Sequence, residues 1–181
     1  MSEELMIRNC SPTLAGMKTG NIFVVKYKDK KEMHDNLRKW NKLLLKKGVR
    51  VIPLRYRNGK ALIYVYRPKK LSKDLNHHKA TEILKDKGYC AENHHLCVKE
   101  LIFRLSENED FPHEIGLFLG YPPEDVCGFI ENRPHKCIGC WKVYDNEEEA
   151  LKTFKKYKKC TNIYRALLAQ GKSIEKLTVA G

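Results

Sequence analysis

Residues 49–68, VRVIPLRYRNGKALIYVYRP, constrain the fold more than any other stretch of the chain. Two β-branched and aromatic runs flank Asn58-Gly59, the dipeptide that tolerates positive φ at both central positions of a type I′ turn. The stretch therefore predicts an antiparallel hairpin. Pro53 has no N–H to give to a ladder, so its strand is expected at a sheet edge or bulged there. Upstream, NIFVVKY reads as a further strand. Between the two, Met33, Leu37, Trp40, Leu44 and Leu45 recur at helical spacing until Gly48 ends the pattern. Strand–helix–strand–strand is the opening of a ferredoxin-like or related α+β unit.

The rest of the chain reads as mostly helical. Ser11-Pro12 looks like an N-cap followed by a first-turn proline, predicting a short helix over SPTLAGMKTG closed by Gly20. Helical segments are expected at about 71–88 and 94–106, then a strand over CWKVYD, a long helix over about 146–169 and a tail strand over IEKLTVA. In FPHEIGLFLGYPPEDVCGFI, Pro112 and Pro123 sit where helices begin, and Glu114, Glu124 and Asp125 suit their positive ends. Gly116, Gly120 and Val126 imitate the spacing of a DNA-binding helix-turn-helix. The would-be reading helix, PPEDVCGFIEN, has acids and no cation and would be repelled by phosphates. An αα-corner packed on the core is the better reading.

With 181 residues, 42% of them hydrophobic, the chain can bury one sizeable core, and it has no internal repeat or clear linker. The expected fold class is α+β: a small mixed or antiparallel sheet, opened by strand–helix–strand–strand and covered by helices. A single domain is expected over 1–181, with a basic strand–helix–hairpin half at about 21–68 and a helical half with a late strand at about 71–181. No apolar run approaches the ~20 residues that span a bilayer. The N-terminus MSEELMIRNC has acids where a signal peptide has cations, so a cytoplasmic protein without a membrane partner is expected.

Charge and cysteine direct the search for function. The formal net charge is +13, yet residues 21–80 hold 18 Lys or Arg against 4 Asp or Glu, and the remainder is close to neutral. That localisation predicts a basic face. Arg55, Tyr56, Arg57, Tyr64 and Tyr66 share the hairpin, and aromatics among cations on a sheet are what single-stranded RNA readers use. The third strand, however, lacks the aromatic pattern of an RNA-recognition motif. Seven cysteines in a reducing compartment are thiols or metal ligands sooner than disulfides. Cys10, placed before the Ser11-Pro12 helix start, is a candidate nucleophile with His113 as base, Glu114 as orienter and Lys18 as a cation beside the thiolate. Cys137 and Cys140 have metal-ligand spacing, and Cys90, Cys97, His94 or His95 would have to complete a structural zinc site.

The strings CSPTLAGMKTGNIF, LIYVYRP, FPHEIGLFLGYPPEDVCGFI and WKVYD occur in this order across nearly the whole chain. Together they resemble a family of small cytosolic proteins of anaerobic bacteria, domain-of-unknown-function family 3793. The resemblance implies an iron or redox setting and brings no catalytic residues with it. Lys18, Arg67 and Tyr121, carried by those strings, are the candidate ligand contacts. The leading expectation is a ligand-binding or thiol-chemistry protein with a small ligand or a redox partner protein. A non-enzymatic module for single-stranded RNA is the first alternative, and an interaction protein built on structural zinc the second.

Overall fold

The structure, a computed structural model, describes residues 1–108 and 110–181. Helix α1 (Glu3–Leu14) leads into strand β1 (Gly20–Lys26). Helix α2 (Lys30–Leu44) and a 3-10 turn at Leu45–Lys47 follow, then the hairpin of β2 (Arg50–Arg57) and β3 (Lys60–Tyr66). The turn residues Asn58 and Gly59 have φ of 48° and 68°, the left-handed pair that a type I′ turn requires. All pairing is antiparallel, and the three-stranded sheet has the order β1-β3-β2. The proline acts in both ways open to it. Pro53 lies on an edge strand, and the register slips beside it: Pro53 faces Ile63 and Arg55 faces Leu62, leaving Leu54 as the extra residue.

Strand β3 explains the architecture. After Lys60 it is buried along its whole length, so helices must cover both faces of the sheet. Ala61, Ile63 and Val65 join Phe23, Val25 and Val51 under α1, α2 and α9 (Ile174–Leu177). Leu62, Tyr64 and Tyr66 face the opposite way. They pack with α3 (Pro68–Leu75), α4 (His78–Asp86), α5 (His94–Glu107), α6 (Ile115–Phe118) and α7 (Pro123–Ile130). A small second hairpin, β4 (Cys137–Ile138) with β5 (Lys142–Val143), follows α7. The long α8 (Glu147–Ala169) then runs against α1. The fold is α+β with a small antiparallel sheet. No described helix is long and apolar enough to cross a membrane.

Several boundaries differ from those the sequence suggests. The first helix is capped by Ser2, whose hydroxyl accepts from the Leu5 N–H, and Pro12 falls in its last turns; Gly20 opens β1 instead of closing a helix. The 71–88 segment is two helices, α3 and α4, with Pro68 in the first turn of α3. CWKVYD supplies only the two residues of β5, and the tail forms one turn of helix instead of a strand. The αα-corner is present, with a short first arm. A Cβ on Gly116 would stand 2.8 Å from Val126 Cγ2, so α6 and α7 meet where only glycine fits.

Candidate functional site

One carboxylate builds the site. Asp125 lies in the first turn of α7 and is 4% exposed. Its Oδ2 accepts from Trp141 Nε1 at 2.7 Å, and its Oδ1 accepts from the backbone N–H groups of Tyr144 at 2.7 Å and Asp145 at 3.0 Å. These bonds fasten the β4–β5 hairpin and the chain after it to α7. A buried carboxylate needs such donors, and three of them satisfy it. The Trp141 ring is thereby fixed, with Tyr121 stacked on it at 4.9 Å and the edge of Phe154 at 4.6 Å.

Between α7, the hairpin and the chain leading into α6 lies a cleft of about 470 Å3. Phe111, Ile115, Tyr121, Val126, Phe129 and Trp141 form its apolar walls. His113 meets Phe129 edge-on at 5.0 Å, and the Lys142 ammonium lies 5.3 Å from the same ring. The exposed Asp110 also lines it. Phe111 and Phe129 are 41% and 38% exposed, which is a large aromatic surface to leave in water.

The structure separates the proposed catalytic trio. Cys10 is wholly buried in the last turns of α1, in the cluster under the α1–α2 face. Burial pushes its thiol far up, with Lys18 opposing only in part, whereas an activated thiol sits below its ordinary value. His113 lines the aromatic cleft instead. Glu114 turns inward at 3% exposure, where Tyr89 Oη donates to it at 2.8 Å and Arg104 Nη1 lies at 3.4 Å. It holds α5 to the start of α6 and does not orient His113.

The other expected residues divide between structure and site. Arg67 is a clamp. Its guanidinium donates to the carbonyls of Thr13 at 2.6 Å, Leu14 and Val179 each at 2.7 Å, and Lys47 at 3.3 Å. Lys18 and Tyr121 do come together, with the ammonium 5.0 Å from the ring centroid. Tyr64 and Tyr66 stack on each other at 4.5 Å and 2° in the core, and Tyr64 Oη donates to the Phe118 carbonyl. They offer no face to a base. Arg55 is committed to the carbonyls of Leu105 and Asn108 and lies over Phe111, while Tyr56 packs against Tyr27 and His34 and Arg57 is at the exposed hairpin end.

Cys137 opens β4 and Cys140 lies in the turn between β4 and β5. Burial raises both thiols, with Glu147 adding to the shift at Cys137 and Lys18 opposing it at Cys140. Cys90, Cys97, His94 and His95 belong to the α4–α5 connection and the start of α5, where Cys97 Sγ donates to the Cys90 carbonyl at 3.3 Å. Among the described residues no three His, Cys, Asp or Glu side chains converge as a metal set would. Residues that the sequence reading missed are Phe129, Trp141 and Lys142. The signal for Trp141 was present: a tryptophan beside a lone CxxC.

A family model described as "Protein of unknown function (DUF3793)" matches residues 6–178. No curated protein and no solved structure matches the chain.

Proposed function

The chain belongs to the DUF3793 family, and from that premise we propose that the protein binds a small, planar, largely apolar molecule in the cleft between α7 and the β4–β5 hairpin. The observation that carries this reading is the composition of the cleft. Its walls are aromatic and aliphatic, and among the described residues the side chains of His113 and Lys142 have ring contacts there but no hydrogen bond or ion pair to the protein. An apolar concavity with a few convergent polar groups is the usual form of a small-molecule site. The rigid Tyr121–Trp141 stack supplies a flat wall, and His113 and Lys142 supply donors for a polar edge. Binding without catalysis is the reading, because the raised thiols and the separated trio assemble no nucleophile.

Anilinonaphthalene sulfonate, a planar aromatic with an anionic edge, is a suitable probe. The folded protein is expected to bind it saturably, with quenching of Trp141 fluorescence. Phe129→Ala should weaken binding by roughly tenfold, the scale of one lost aromatic contact, with an unchanged far-UV spectrum. Equal binding by Phe129→Ala and by His113→Ala together with Lys142→Ala would refute the cleft as the site.

A further inference from the structure

A second cleft lies across Tyr121 from the first, between α1 and α8, with a volume of about 340 Å3. Lys18 lines it from the α1–β1 connection and is itself 5% exposed. Its contacts are the Tyr121 ring at 5.0 Å and the electrostatic influence of the Cys140 and Cys10 thiols; among the described residues it has no carboxylate partner. A buried ammonium without a counter-ion is costly, and structures rarely keep one without a use. Burial holds its pKa down at about 8, so the amine remains mostly protonated at neutral pH.

Several of the lining groups are cations or donors, while Asn9 gives its amide N–H to the Leu5 carbonyl at 2.8 Å. Among the described residues no Asp or Glu lines this cleft. Asn21 accepts from Thr13 Oγ1 at 2.7 Å through its carbonyl oxygen, which leaves its amide N–H groups to donate. Lys158 stands exposed on the α8 side, and Tyr157 and Asn162 add further polar hydrogens. A buried cation, a second cation at the mouth and an amide donor fit the chemistry of an oxyanion.

We infer that the cleft between α1 and α8 binds a small oxyanion, the phosphate or carboxylate group of a small molecule, with Lys18 as its buried counter-charge. This site is separate from the aromatic cleft and does not rest on it. Calorimetric titration of the whole protein at low ionic strength with inorganic phosphate, and in a second arm with acetate, tests the inference and distinguishes the two sources. Saturable binding of at least one anion is expected. Lys18→Met, which keeps the length of the side chain, should weaken it by roughly tenfold or more, and Lys158→Met by about threefold. The exposed Lys69→Met and the aromatic-cleft variant Phe129→Ala should leave it unchanged. If Lys18→Met does not fold, amide shifts at Lys18, Asn21 and Lys158 during titration of the unaltered protein serve instead. Absence of saturable binding of both anions, equal affinity in Lys18→Met, or shifts confined to other residues would each overturn it.

Discussion

Lys18 carries a measurable consequence for stability even before any ligand binds. Its pKa drops from the ordinary 10.5 to about 8, with burial as the largest cause. Between those values the unfolded chain holds a proton that the folded chain has released, so the Lys18 contribution to stability rises with pH through that window. Below about pH 8 the penalty is fully present, and a displacement of this size corresponds to about 3 kcal/mol. The facing thiols of Cys10 and Cys140 and the phenols of Tyr121 and Tyr157 are raised, so their contributions fall as pH climbs past the ordinary 9.0 and 10.0, opposite in sign to Lys18, and the Lys18 contribution is read from the difference between Lys18→Met and the unaltered protein. Lys18→Met should therefore raise the melting temperature at neutral pH, and the gain should shrink towards about pH 10. An unchanged melting temperature at neutral pH would mean that the charge is compensated. Cys10 makes the opposite case, a side chain whose reactivity the fold removes. Iodoacetamide with peptide-resolved detection should label the exposed Cys90 and Cys140 of the native protein well before Cys10. Comparable rates would show that the end of α1 opens readily. The sequence placed Cys10 at a helix start because Ser11-Pro12 resembles one. The better signal was Ser2 followed by Glu3 and Glu4, with Met6, Ile7, Cys10 and Leu14 on one helical face.

Elements whose structure is decided locally were legible. The β2–β3 hairpin follows from Asn58-Gly59 because the turn geometry depends on those two residues and not on distant neighbours. Gly59→Val places a β-branched residue at a φ of 68° and should cost about 1–3 kcal/mol, read as a lower urea midpoint. An unchanged midpoint would mean that the turn relaxes without strain. Elements held by tertiary contacts were not legible to the same degree. The β4–β5 hairpin has two residues per strand and depends on Asp125, which is distant from it in sequence. The acids of FPHEIGLFLGYPPEDVCGFI were read as partners of helix dipoles. Glu124 and Asp125 do lie in the first turn of α7, but Asp125 also anchors the hairpin, and Glu114 is buried against Tyr89 and Arg104.

Across the whole molecule, Arg67 ties the end of α1, the 3-10 turn and the C-terminal tail to the end of β3 through four carbonyls. Arg67→Met would take the guanidinium from the part-buried Lys47 and Val179 carbonyls, while the Thr13 and Leu14 carbonyls keep the N–H groups of Gly16 and Val179. It should cost about 1–3 kcal/mol, the scale of buried hydrogen bonds lost, and Arg67→Lys should recover only part because the planar fork is lost. Chemical denaturation of the three proteins measures this, and a loss below that of an ordinary surface substitution would remove the clamp. The arginine was visible in the sequence, but its role was not, because its partners come from residues 13, 14, 47 and 179. The tyrosines teach the same lesson. Tyr64 and Tyr66 share a face by strand alternation, as their spacing requires, yet only the packing of α3 to α7 makes that face a core. The sequence by itself determined the α+β class, the hairpin and its turn, an edge or bulged position for Pro53 and an αα-corner after Pro112, because backbone conformation and hydrophobic period are properties of neighbouring residues. Which charged and reactive side chains meet, Lys18 with Tyr121 but Cys10 apart from His113, was decided only by the tertiary structure, because burial and electrostatic partners depend on segments that folding brings together from far along the chain.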